Sequence, residues 1–265
     1  MEMKFEHNSF GKRLKSMLCV DFRRMFTMPL LYIMAGISLV VPILVLVMTT
    51  MFDGSTSVNP QTGVETTIEG FDNVWQGIGA LSGAGMSMDL TSMCNINLVF
   101  FMVAVLVCMF VAADFRSGYA KNLFTVRAKK TDYVISKSVV GFVGGLIMLW
   151  AYFVGTMLGG AIAGLPFDTG VAGTTGIVMC MLAKSFLIAV FVALYLLMSI
   201  IGKDKLWLSL VCSFGASMLL FTMIPMITPL DSTIMNVVLC LAGGVLFNVG
   251  LGAISNTILK KKNIL

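Results

Sequence analysis

The sequence predicts an all-α integral membrane protein that forms one transmembrane domain over residues 1–265 and crosses the bilayer six times. Hydrophobic residues make up 58% of the chain and charged residues only 12%, whereas a soluble domain carries about 25% charged residues. Crossing a bilayer core of about 30 Å takes about 20 apolar residues. Six charge-free stretches approach that length, at about residues 30–51, 96–113, 138–162, 185–202, 206–227 and 235–256.

Residues 10–26 precede the first stretch and have the pattern of an amphipathic helix. Lys12, Lys15 and Arg23 fall on one helical face, and the opposite face is apolar. Such a helix lies in the headgroup layer of a membrane. Asp21 interrupts the apolar face, so we expect it to pair with Arg24 or with a cation of a partner. The apolar residues are Phe10, Leu14, Met17, Leu18, Phe22 and Met25.

The segments between the six stretches alternate in charge. Residues 52–95, 163–175 and 228–234 contain no Lys or Arg. Apart from Lys184, the 18 basic residues lie in the N-terminal arm, the loop 114–137, the turn 202–205 and the tail 260–262. Because short basic segments stay on the cytoplasmic side, this pattern predicts a multi-pass plasma-membrane protein with both termini in the cytoplasm.

The outer loop 52–95 is expected to be acidic and partly helical. Glu65, Glu69 and Asp72 form a predicted outer acidic rim, whose negative potential would attract cations. Helical spacing of five apolar residues predicts a small cap helix, formed by Phe71, Val74, Trp75, Ile78 and Leu81.

Glycines recur at four-residue spacing in and after the third stretch, which permits close helix approach and favours packing within the chain over a subunit contact. The pairs are Gly141/Gly145, Gly155/Gly159 and Gly160/Gly164.

The loop 114–137 is the longest charged segment between two apolar stretches. Ser117 can cap a short helix that places Tyr119, Leu123 and Phe124 on one apolar face. We expect this helix to dock on a cytoplasmic partner, with Lys121 and Arg127 orienting it. An ordinary basic loop between two spans is the alternative.

The order of residues in this loop resembles the coupling loop of type-2 ABC exporter permeases. The matching positions are Asp114, Gly118, Lys121, Leu123, Arg127, Tyr133 and Lys137. Asp114 and Val126 depart from the family, which often has Glu and Pro there. The resemblance implies an elbow helix at 10–26, a coupling helix seated in a cleft of cytoplasmic ABC ATPase subunits, and a second permease copy or paralogue. It also implies that the segment between spans five and six dips back from the outside.

The chain lacks the motifs of enzyme chemistry. It contains no G-x-x-x-x-G-K-[ST] sequence, so ATP and Mg would bind on the partner ATPase and this chain would bind no cofactor. His7 is the only histidine, and the six cysteines show no C-x-x-C spacing. We therefore predict no catalytic residues and no metal site.

Four residues are candidates for a translocation path: Trp150, Tyr152, Lys184 and Tyr195. A lysine in a membrane is costly unless it is paired, but a span that begins at Ser185 would let Lys184 snorkel to the outer interface, which we favour. Packing in the core is the favoured role of the three aromatic residues. The 22 methionines provide adaptable walls that suit a lipophilic cargo.

The sequence thus predicts a transporter subunit, with a separate ATPase hydrolysing ATP. The resemblance suggests an exporter of amphipathic or antimicrobial peptides. The alternatives are export of drugs, lipids, glycans or ions, and a non-transporting membrane scaffold or signalling subunit.

Overall fold

The computed structural model describes residues 10–58, 65–67, 70–82, 95–125, 129–203 and 205–261. In these ranges the chain is mainly helical, with one two-stranded antiparallel sheet. The helices are α1 (Phe10–Thr27), α2 (Pro29–Met51), α3 (Leu98–Arg116), α4 (Tyr119–Thr125), α5 (Lys130–Ala163), α6 (Gly173–Gly202), α7 (Leu206–Phe221), α8 (Met223–Ile227) and α9 (Ile234–Lys261). The strands are β1 (Thr56–Val58) and β2 (Glu65–Thr67), and Thr56 lies opposite Thr67.

Five of the described helices are long and apolar enough to cross a membrane, namely α2, α3, α5, α6 and α9. This confirms a multi-pass helical architecture. The predicted span 206–227 is instead divided into α7, with 16 residues, and α8, with five. Pro225 lies in α8, and a proline ring clashes with the carbonyl four residues earlier, here that of Phe221, where α7 ends.

Helix α6 begins at Gly173, twelve residues before the predicted start at Ser185. It is the central helix of the bundle and contacts α3, α5, α7 and α9. The predicted boundary was wrong because Lys184 was treated as the end of an apolar run. The structure buries this residue completely, so the helix continues through it.

Helices α2 and α5 approach each other closely at glycines of α5. A Cβ atom at Gly159 would lie 2.8 Å from Ile43 Cα, and one at Gly155 would overlap the carbonyl oxygen of Leu39. Gly145 approaches α6 in the same way: a Cβ atom added there would lie 2.6 Å from Ile188 Cγ2. The predicted packing within the chain is confirmed for five of the six glycines and is wrong for Gly164, which ends α5 with a positive φ and whose added Cβ would meet nothing within 4 Å.

The predicted cap helix is wrong for the described residues 70–82, which contain only the 3-10 turn Val74–Gly77. Asn73 caps this turn through its side-chain oxygen, which accepts from the Trp75 backbone N–H at 3.1 Å. The Trp75 ring meets the Phe167 ring edge-on, and its Nε1–H donates to the Phe167 carbonyl at 3.2 Å. Val74 and Ile78, two of the apolar residues at helical spacing, are fully buried although they do not form a regular helix.

Candidate functional site

A network of charged side chains is buried at one end of the bundle, which we call the network end. Its members come from α1 (Asp21, Arg24), the end of α3 (Asp114) and the start of α5 (Tyr133, Lys137). Lys137 Nζ lies 2.8 Å from Asp21 Oδ1 and 2.7 Å from Asp114 Oδ2. Arg24 Nη2 lies 2.7 Å from Asp114 Oδ1. Asp21, Asp114 and Lys137 are at most 1% exposed.

Further hydrogen bonds offset the desolvation of these charges. The Ser136 hydroxyl donates to Asp21 Oδ2 at 2.6 Å, and the Tyr133 hydroxyl donates to Asp114 Oδ2 at 3.0 Å. Lys137 Nζ also lies 4.0 Å from the centre of the Phe110 ring. These bonds meet part of the hydrogen-bonding capacity of the buried charges, whereas Arg24 Nη1 and Asp114 Oδ1 have no hydrogen-bond partner among the described residues. The expected pairing of Asp21 with Arg24 is a secondary contact at 3.9 Å, because Lys137 is closer.

Helix α4 is attached to this network by its apolar face. The Arg24 guanidinium lies 4.0 Å from the centre of the Tyr119 ring, and the Phe124 ring meets Tyr133 edge-on at 5.4 Å. Leu123 also packs against the core. Burial raises the pKa of Tyr119, and Asp21 adds to this effect.

The apolar face predicted to dock on a partner is therefore turned largely toward the chain itself. Lys121, Asn122 and Thr125 form the exposed face of α4. Periodicity identified the two faces of this helix. Its apolar face is half-buried, because Arg24 and Tyr133 of distant segments pack against it. Arg127 lies outside the described residues.

Two more contacts bring other chain segments to the start of α5. Arg13 Nε of α1 donates to Asp132 Oδ2 at 3.1 Å. Lys130 Nζ donates to the carbonyl of Leu259 in α9 at 2.6 Å. The network end thus joins α1, α3, α4, α5 and α9 around the start of one long helix.

Lys184 lies inside the opposite half of the bundle and is fully buried. Its Nζ donates to Asn97 Oδ1 at 2.7 Å and to Thr228 Oγ1 at 3.1 Å. The prediction that Lys184 snorkels to the interface is wrong, because these two oxygens hold the amino group inside the protein.

Three segments close this end of the bundle, which we call the capped end: residues 70–82, 95–97 and 228–233. The Leu230 N–H donates to the Ala80 carbonyl at 2.8 Å, and the Ile96 N–H donates to the Gly77 carbonyl at 2.9 Å. The Ser82 N–H donates to Asp231 Oδ1 at 2.8 Å, and its hydroxyl donates to Asp231 Oδ2. Hydrogen bonds from Ser82 lower the pKa of Asp231. These bonds connect the outer loop to the segment after α8.

The aromatic candidates are not brought together with Lys184 around one cavity. Trp150 is 44% exposed on the outside of the bundle, beside Phe153. Tyr152 is buried, and its carbonyl accepts from the Thr156 hydroxyl. The Tyr195 hydroxyl donates to the Phe100 carbonyl at 2.9 Å.

Tyr195 belongs to a polar seam that attaches α7 to α3 and α6. Its hydroxyl oxygen lies 2.6 Å from Ser217 Oγ, and Cys108 Sγ lies 3.2 Å from Ser213 Oγ. Ser209, Ser213 and Ser217 stand four residues apart and are all buried. Hydrogen bonds of this kind hold helices together in an apolar medium.

The acidic rim is described only in part. Asp72 is exposed, and its N–H donates to Gln76 Oε1 at 3.1 Å. Glu65 lies opposite Val58 in the two-stranded sheet. Glu69 lies outside the described residues.

The buried network was not predicted as a site from the sequence. Asp21, Asp114 and Lys137 each stood out as a charge beside or within an apolar stretch, which was the available signal. Their mutual contact required the fold, since Asp21 and Lys137 are 116 residues apart.

Comparison with protein-family models, with curated proteins and with solved structures gave no match for this chain.

Proposed function

We propose that this chain is the permease subunit of a type-2 ABC exporter. The observation that carries the proposal is the short helix α4, which joins two long apolar helices and is attached to the bundle by the buried network. In this proposal α7 and α8 together form the sixth membrane crossing, α1 is the elbow helix, and the network end faces the cytoplasm.

The attachment of α4 supports a mechanical role. Tyr119 packs on Arg24, and Phe124 packs on Tyr133. Because these contacts reach α1 and α5, a push on α4 moves those helices instead of bending a loose loop. Nucleotide-driven closure of two ATPase subunits would deliver that push to a pair of permease subunits and release cargo outward.

The exposed face of α4 is the proposed contact with the ATPase. We expect the double variant Lys121→Glu and Thr125→Glu to reduce recovery of the ATPase in co-purification by at least about tenfold, because like charges facing a matched partner cost several kcal/mol. The thermal stability of the permease should stay unchanged, because both positions are exposed.

Two controls accompany this measurement. Lys15→Glu repeats the charge reversal of Lys121→Glu on the exposed face of α1 and should retain the ATPase. Leu123→Ala with Phe124→Ala should lower the stability of the permease. Normal ATPase recovery with the double glutamate variant would contradict the docking assignment.

The orientation is testable with single cysteines in a background without native cysteines. We expect Ser55→Cys to react with an impermeant maleimide in intact cells and Thr125→Cys to react only after the membrane is opened, because both positions are exposed and lie at opposite ends of the bundle. Ser136 is unsuitable because it is buried against Asp21. The reverse labelling pattern would invert the topology.

Amphipathic or antimicrobial peptides are the proposed cargo, supported by the acidic residues of the outer loop and the many methionines. Drugs, lipids, glycans and ions are the alternatives within transport. A scaffold or signalling subunit is the alternative outside it. ATPase stimulation of the reconstituted complex by cationic peptides, drugs and lipids separates these classes, and a scaffold would respond to none of them.

A further inference from the structure

Among the described residues, the two fully buried lysines differ in how their charge is compensated. Lys137 contacts two carboxylates, those of Asp21 and Asp114. Lys184 contacts only the neutral oxygens of Asn97 and Thr228, and within the described ranges no carboxylate reaches it. An ammonium has three N–H donors, so one donor of Lys184 has no acceptor there. A buried cation without a counter-ion is costly, and an incoming anion would remove that cost.

We propose that Lys184 binds the carboxylate of an amphipathic ligand at the capped end of the bundle. The inference rests on the proposed function, since it assigns an anionic group to the cargo. A carboxylate is suited to this position because the Asn97 amide that accepts from Lys184 also carries two N–H donors. An ammonium and an amide that converge on one carboxylate form charge-assisted hydrogen bonds.

The ligand reaches Lys184 when the capped end opens. Thr228, which accepts from Lys184, lies just before Leu230 and Asp231, the residues that bind the outer loop at Ala80 and Ser82. Breaking the few hydrogen bonds between the outer loop and residues 230–231 would therefore open a route from the surface to Lys184. The other charged residues described at this end, Asp53, Glu65, Asp72, Asp168 and Asp231, are all acidic. Attraction of an anion here thus depends on Lys184 alone.

Cys180 provides a native reporter of this site. It lies one helical turn from Lys184, is fully buried, and its thiol donates to the Thr228 carbonyl at 3.5 Å. Opening of the capped end would expose Cys180 and Lys184 together. A variant that keeps Cys180 and replaces the other five cysteines with alanine reports this opening through thiol labelling.

The experiment compares an anionic sulfonatoethyl and a cationic trimethylammonioethyl methanethiosulfonate, applied to either side of reconstituted vesicles. The ratio of their rates is measured with Lys184, with Lys184→Arg and with Lys184→Met. Both reagents react with the same thiol, so a change in the intrinsic reactivity of Cys180 alters both rates equally and leaves their ratio unchanged. We expect Lys184→Met to lower the anion-to-cation ratio by roughly tenfold or more and Lys184→Arg to retain it.

The source of the carboxylate is resolved by protection of Cys180 from labelling. Protection by dodecanoate but not by methyl dodecanoate indicates a fatty-acid ligand. Protection by an apolar hexapeptide acid but not by its amide indicates a peptide C-terminus. Either protection should disappear in Lys184→Met.

Three results would overturn the proposal: a rate ratio unchanged in Lys184→Met, no protection by either carboxylate, or no labelling of Cys180 even in Asp231→Ala, which removes the bonds from Ser82. Labelling uses the permease without its ATPase, so a failed ATPase association would leave these results intact and would count against the proposed function alone.

Discussion

Replacement of Lys137 by methionine is expected to lower the free energy of unfolding by about 3–5 kcal/mol, because it leaves two buried carboxylates without their shared cation. Asp21 and Asp114 are both fully buried, and both contact Lys137 Nζ. Thermal unfolding in detergent measures the loss. The same change at the exposed Lys121 is the control and should have little effect.

A double variant identifies the cause of that loss. Combining Lys137→Met with Asp21→Asn removes the charge of the carboxylate whose closest cation is Lys137 and keeps the pair of Arg24 with Asp114, so part of the lost stability should return. A Lys137→Met protein as stable as the original would mean that the network is not what holds α1, α3 and α5 together.

Alanine at Gly155 is expected to destabilise the protein by at least about 1–3 kcal/mol, the usual cost of overpacking. The added Cβ would overlap the carbonyl oxygen of Leu39 and would lie 2.7 Å from Pro42 Cγ. Backbone and ring atoms cannot rotate away as the end of a flexible side chain can, so α2 and α5 must separate. Unfolding in detergent again provides the measurement.

Gly36→Ala is the matched control for this substitution. Gly36 lies on the exposed side of α2, and its added Cβ would meet nothing within 4 Å. Alanine there should raise stability by about 0.5–1 kcal/mol through helix propensity. Equal effects at Gly36 and Gly155 would contradict the close approach of α2 and α5.

The long helices were predictable because an apolar run long enough to cross a bilayer has few other uses. Their ends were less predictable where a charge intervened. Lys184 lies 87 residues from Asn97 and 44 from Thr228, so the oxygens that permit its burial belong to other segments. Local sequence could not show that this lysine has partners, and the predicted start of α6 was too late for that reason.

The candidate site was likewise predictable only in part. The two faces of α4 followed from spacing, but the direction of each face depended on Arg24 and Tyr133, which belong to other helices. In the outer loop, apolar spacing from Phe71 to Ile78 fitted a helix, while the chain forms only a short 3-10 turn. These side chains are buried because their spacing along the chain places them on one side of the segment, and this does not require a regular helix.

The polar seam of α7 has a consequence for movement. Because Ser209, Ser213 and Ser217 repeat every four residues, a displacement of α7 by four residues, about 6 Å, would bring Ser213 opposite Tyr195 and Ser209 opposite Cys108. The same two kinds of hydrogen bond would then form in the new position, as in a one-turn ratchet between packed helices.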